Sequence, residues 1–213
     1  MDNGLEDVNT RLGRRLRSLR DTAALSLDAL ATRSGVSRSA ISLIENGRSS
    51  PTATVLDKLA GALGVTLASL FEAPATDAAP ASPLARVADQ GLWTDPASGY
   101  RRRNVSPRWP SPLQLVDVCF PAGQRVAYDA MPREASTRQQ VWMIDGAMEI
   151  TVGDATWRLD AGDCLAMSLD QAIVFHNPTR RDARYLVALV SGPAAALDAT
   201  AVVPSATFSR SPA

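Results

Sequence analysis

The side chains best suited to chemistry are Ser37, Arg38, Ser39, Ser42, Asn46 and Arg48, all within or just beyond the stretch SLDALATRSGVSRSAISLIENG, Ser26 to Gly47. Short hydroxyls, an amide and guanidinium groups are the donors and acceptors that meet base edges and phosphates. Their neighbours dictate how they are displayed. Leu27, Leu30 and Ala31 form one apolar face, and Val36, Ala40, Ile41 and Ile44 form another at helical spacing. Gly35 breaks the run, and Ser37 stands where an N-cap accepts an orphan amide hydrogen. The spacing predicts two short helices joined by a turn, with the polar set on the face the apolar residues leave free. That is the layout of a helix-turn-helix whose second helix enters the major groove. Gly47 ends this helix, and Arg48 to Pro51 form a loop able to meet a DNA backbone.

The flanking sequence supplies the support. From Val8 to about Asp21, Val8, Leu12, Leu16 and Leu19 recur every three or four positions, predicting an amphipathic helix. Arg11, Arg14, Arg15, Arg17 and Arg20 line its other side, either as a solvated face or as phosphate contacts. A further helix is predicted from Thr52 to Leu63, and Val65 to Phe71 is read as a fifth. Residues 8–72 then form one domain. The Ala, Pro, Ser and Thr of residues 73–83 read as a linker. Over residues 84–192 the period changes to short β-branched and aromatic segments, among them LQLVDVCF, QVWMIDGAMEITV and ARYLVALV, broken by Gly, Pro and Asp. These predict an all-β sandwich or small barrel. Residues 193–213 read as a C-terminal tail. The fold class is therefore α+β multidomain.

Bulk properties narrow the choice. The 213 residues exceed the usual single-domain size, and 22 basic residues cancel 22 acidic ones. Up to Glu72 there are nine Lys or Arg against eight Asp or Glu, so any DNA binding is local. The start, MDNGLEDVN, lacks a basic n-region and an apolar h-region, and no run approaches the roughly 20 apolar residues of a membrane span. A cytoplasmic protein without membrane contact is the expectation. Cys119 and Cys164 lack metal-ligand spacing and read as buried thiols, with a redox pair as the alternative.

Leu12 to Phe71 resembles the phage-repressor-type, or XRE-family, DNA-binding domain, through LDALATRSGVSRSAISLIENG and then SSPTATVLDKLAGALGVTLASLF. The resemblance implies that Ser37, Arg38, Ser39 and Ser42 face bases or phosphates. It also implies a structural pair between Arg20 and Glu45, since a carboxylate at the edge of a buried face needs a partner. One departure is Leu27, at a position where many members carry a backbone-contacting Gln.

The second domain resembles a cupin, a jelly-roll barrel, in VWMIDGAMEITVGDATWRLDAGDCLAM, with turns at Gly146 and at Gly162–Asp163. Many cupins hold a metal on three histidines and a glutamate. Here Gln139 stands at the glutamate slot, the slots before it fall among Pro132, Arg133, Glu134 and Ala135, and Ile173 takes the third histidine's place. Counting from Gly123 instead lands on Asp129 and Met131, and only Asn177 matches the pattern. No metal and no cofactor are expected. His176, the lone histidine, reads as a structural residue on the outward face, with a ligand-binding role as the alternative. A barrel interior can enclose a small molecule. Candidate inward residues are Gln139, Val141 and Met143 by cupin register, together with Tyr128, Cys119 and Phe175, and of these all but Cys119 are candidate effector contacts. Arg101 and Arg103, on one face of a strand, would favour a carboxylate or similar anion, or else mark a solvated sheet edge.

Together these readings imply a sequence-specific DNA-binding transcription regulator, not an enzyme. It would bind double-stranded operator DNA as a homodimer, because one recognition helix spans only a few base pairs. The sequence leaves two alternatives. The same pairing of domains resembles an iron-dependent epoxidase family, which the missing histidines disfavour, and the barrel could serve only as a dimerisation core.

Overall fold

The computed structural model describes residues 8–72, 82–130 and 136–192. The first block is a bundle of four α-helices: α1 (Val8–Thr22), α2 (Leu27–Ser34), α3 (Arg38–Glu45) and α4 (Ala53–Ala62). Each boundary from α2 onward has a local cause. Ser26, Ser37 and Thr52 sit in extended backbone and their hydroxyls accept the amide hydrogens of Ala29, Ala40 and Val55. Gly35 ends α2 in the left-handed region at φ 68° and its N–H reaches the carbonyl of Ala31. Leu12, Leu16, Leu30, Ile41, Ile44, Leu56, Leu59 and Leu70 fill the core.

The expected fifth helix is instead a single 3₁₀ turn, Ala68–Phe71. After Gly64, at φ 71°, only a short segment is left, and the Thr66 hydroxyl accepts from the Ser69 amide. That spacing suits one tight turn and not a propagating α-helix.

The second block is two antiparallel sheets. Its strands are β1 (Leu92–Thr94), β2 (Arg101–Asn104), β3 (Leu113–Phe120), β4 (Arg125–Tyr128), β5 (Ser136–Asp145), β6 (Ala147–Val152), β7 (Ala155–Asp160), β8 (Cys164–Ser168), β9 (Ile173–His176) and β10 (Ala183–Gly192). One sheet runs β1-β2-β3-β10-β5-β8 and the other β4-β9-β6-β7. The order mixes strands distant in sequence, as a jelly roll requires. On the inner face of the larger sheet Val116 and Val118 of β3 lie opposite Val187 and Tyr185 of β10, and Phe120 lies opposite Ala183. Strand β1 and strand β4 have three and four residues and do not stand out in the sequence. Most of the predicted linker, residues 73–81, and the tail, 193–213, lie outside the described residues.

The bundle sits against the barrel. The buried Asp95 carboxylate accepts from the backbone N–H of Ala53, at the start of α4, at 2.9 Å and from the Ser98 amide and hydroxyl. Glu72 accepts from Arg15 at 3.1 Å and also from the Gln114 side chain. The Phe71 ring lies 5.4 Å from that of Trp93.

Candidate functional site

Helix α3 carries the candidate DNA face. Ser37, Arg38, Ser39, Asn46 and Arg48 are exposed and Ser42 is half-buried. Three of these side chains are engaged locally: the Ser37 hydroxyl caps the helix and lies 3.2 Å from that of Ser39, and the Asn46 amide donates to the Ser42 carbonyl at 2.7 Å. Arg38 forms a 3.4 Å ion pair with Asp28 of α2, with side chains 65% and 74% exposed. A pair this exposed is worth no more than about 1 kcal/mol and yields readily to a phosphate or a guanine. Leu43 shares the same face and is 47% exposed. As an apolar residue it carries no signal for DNA contact in the sequence, but its offset from Ile41 and Ile44 places it outside the buried set.

The arginine run is less a basic patch than a set of struts. Arg15 donates to the Ser69 carbonyl and Glu72, and Arg17 pairs with Asp21. Arg20 makes two parallel bonds to Glu45, Nε to Oε1 at 2.7 Å and Nη2 to Oε2 at 2.9 Å, and a third to the Leu25 carbonyl at 2.9 Å. That fork ties the end of α1 to the end of α3. Close by, Gly13 lets α1 approach the last carbonyls of α3; a Cβ there would lie 2.3 Å from the Ile44 oxygen and 2.9 Å from the Glu45 oxygen.

The barrel contains a cavity of about 90 Å³. Tyr128, Gln139 and Phe175 line it, as expected from register, with Tyr100, Arg102 and Tyr185 beside them. Val141 and Met143 are fully buried but pack as core and do not line the cavity. The arginine assignment is corrected. Strand β2 sends Arg102 inward opposite Val118, leaving Arg101 exposed and Arg103 half-buried on the outer face. Alternation separates Arg102 from its neighbours, but only the packing of Tyr100 and Val118 shows which side is inside. Asp57, Leu67 and Ala68 complete the wall from the bundle, a contribution that sequence could not show because it depends on how the two blocks meet. Burial holds all three tyrosines above the ordinary phenol range, Tyr128 and Tyr185 well above it, so the Tyr100 and Tyr128 hydroxyls, 3.1 Å apart, are neutral near pH 7.

Gln139 and Ile173, at metal slots of a cupin, and Asn177 beyond them are put to other uses. Gln139 donates to the Met167 sulfur at 3.6 Å, Ile173 is buried and apolar, and Asn177 is committed to the Phe120 and Arg181 carbonyls and to Thr179. His176 lies on the outer face, its Nδ1 3.3 Å from a Glu149 carboxylate oxygen. Among the described residues no three His, Cys, Asp or Glu side chains converge, so these residues do not fit a resident metal. The slots among Pro132 to Ala135 lie outside the described residues. The cysteines are not buried as expected: Cys119 is half-buried beside Arg101 on the outer face of the sheet, and Cys164 is exposed.

A helix-turn-helix bundle with an exposed polar α3, joined to a jelly-roll barrel, defines a DNA-binding protein whose second domain encloses a small cavity. A family model described as "Helix-turn-helix domain" matches residues 11–72. The chain is 27% identical over 176 residues to the HTH-type transcriptional regulator SutR of Escherichia coli K12, covering 81% of this chain and 90% of that one. It is 34% identical over 68 residues to the control protein C.MunI of a Mycoplasma species, covering 32% of this chain and 92% of that one. An HTH_3 family transcriptional regulator from Vibrio cholerae shares the fold, with a TM-score of 0.65 at 20% identity over 86% of this chain and 96% of that one. The chain belongs to the XRE-type helix-turn-helix regulators, with a jelly-roll barrel as its second domain, and it is a DNA-binding regulator of transcription. Among the described residues no helix is long and apolar enough to cross a membrane.

Proposed function

We propose that this regulator binds a two-fold operator as a cytoplasmic homodimer and that its barrel senses a small-molecule effector without catalysing a reaction. Residues 8–72 are then the reading head and residues 84–192 the sensing and dimerising domain. The observation that carries the reading is the face of α3, where Ser37, Arg38, Ser39 and Ser42 stand away from the core on a helix capped at its start and braced at its end by Arg20 and Glu45. Leu43 adds an apolar group suited to a thymine methyl, and Arg48 a charge suited to a phosphate.

Dimerisation follows from the short reach of one helix, since two half-sites about 34 Å apart supply the affinity and specificity that one lacks. Trp142, 49% exposed on the outer face of the larger sheet, and its neighbour Leu186 across β10 give that sheet an apolar surface for a second copy. The cavity supports sensing over a barrel that is only a dimer core. An amide at Gln139 and an apolar side chain at Ile173, in place of metal ligands, argue against an iron enzyme.

The test is selection of operator DNA from random duplexes with the full chain, followed by gel shifts. Arg38→Ala is expected to cost about 1 to 3 kcal/mol of specific binding and to relax the preference at one base pair in each half-site. Unchanged affinity together with unchanged base preference would remove Arg38 from the recognition set.

A further inference from the structure

Arg102 is a buried cation facing a cavity. It is 7% exposed, its Nε has no hydrogen-bond partner, and among the described residues it forms no ion pair. Its Cζ lies 4.8 Å from the centre of the Phe71 ring. A guanidinium cannot shed its proton to escape burial as a lysine can. Stacking on Phe71 offsets only part of the cost of removing the charge from water, so Arg102 itself lacks an anionic partner.

The surroundings say which kind. Tyr100 and Tyr128 bring neutral hydroxyls to the cavity, and Phe120, Phe175 and Val187 line it with apolar surface. Asp57 and Asp129 also face it, and Asp129 pairs with Lys58 at 3.3 Å. Two carboxylates on the wall disfavour a ligand with a second negative charge. A cavity of about 90 Å³ exceeds the roughly 10 to 15 Å³ one water needs and falls short of the roughly 300 Å³ at which drug-sized sites begin.

We propose that the cavity binds a small monocarboxylate with an apolar tail, its carboxylate on Arg102 and its tail among Phe120 and Phe175, and that occupancy acts on the DNA-binding bundle through Phe71. The second part rests on the sensor reading above. Phe71 ends the bundle, stacks on Arg102 and packs against Trp93, so a ligand that draws the guanidinium toward the cavity alters the contact holding bundle to barrel. Coupling of this kind needs only that the ligand prefer one arrangement of that contact.

The experiment uses the full chain with propionate, butyrate and benzoate, each beside its uncharged amide, and with inorganic phosphate. At about tenfold excess over its Kd, the best carboxylate is expected to raise Tm by roughly 3 to 6 °C. The amides and phosphate should not, and Trp fluorescence should change with carboxylate binding because Trp93 abuts Phe71. Arg102→Met should abolish the shift, with circular dichroism and a cooperative unfolding transition confirming that the variant folds. Equal shifts with amide and carboxylate, a preference for phosphate, a response surviving in Arg102→Met, or no response to any carboxylate at millimolar concentration would overturn the ligand class. These comparisons on the unaltered protein decide the matter even if the variant fails to fold. Gel shifts with and without bound carboxylate separate the two claims: binding with unchanged operator affinity keeps the ligand and removes the sensor, whereas amides that bind and change operator affinity keep the sensor and remove the carboxylate.

Discussion

Glu45→Ala is expected to destabilise the DNA-binding bundle by up to about 3 to 5 kcal/mol, because it takes from the poorly hydrated Arg20 guanidinium its buried, bidentate carboxylate and leaves only the exposed Asp21. The two side chains are 11% and 6% exposed, so solvent screens the pair weakly. The same substitution removes the link between the end of α1 and the end of α3. Arg20 would keep its bond to the Leu25 carbonyl and a 2.8 Å contact with the exposed Asp21, neither of which replaces a bidentate partner. Replacing both residues together, Arg20→Leu with Glu45→Leu, should cost much less than the single change, since no charge is then stranded. Denaturant titration of the three proteins measures the difference. A single-variant loss below about 1 kcal/mol would mean the pair behaves like an exposed ion pair and does not brace α3.

This pair also shows what the sequence made legible. The helices of the bundle followed from apolar spacing, and Ser37 and Gly35 marked the turn because capping and left-handed backbone are local physics. The strand-rich second domain was equally visible, since period-two segments such as LQLVDVCF do not depend on distant partners. Depth was harder. Alternation separates Arg102 from Arg101 and Arg103, but which side faces the core depends on what Tyr100 and Val118 pack against. A buried arginine is improbable from composition alone, so the exposed pair was the natural choice and the wrong one. Contacts between the domains were out of reach altogether. Nothing in the residues around Asp95 announces that its carboxylate closes the first turn of α4, or that Phe71 stacks on an arginine of the barrel.

Gly13→Ala should show the opposite sign to the one helix propensity gives. Within a helix this change ordinarily stabilises by about 1 kcal/mol. In α1 the added methyl would sit 2.3 Å from the Ile44 carbonyl oxygen, well inside contact distance, and 2.9 Å from that of Glu45. Neither neighbour is a side chain that can rotate away; both are backbone at the end of the recognition helix, which Arg20 fixes through Glu45. Relief therefore requires α1 and α3 to separate, which disturbs the packing of Leu12, Leu16, Ile41 and Ile44. Overpacking of this kind costs about 1 to 3 kcal/mol and more where backbone must move, so a net loss of at least about 2 kcal/mol is expected. Because the displaced element is the one that presents Arg38 and Ser42, operator affinity should fall further than stability alone explains, measured at a temperature where the variant is still folded. Thermal unfolding at or above the parent Tm, with operator binding intact, would show that α1 and α3 have room the glycine does not need to provide.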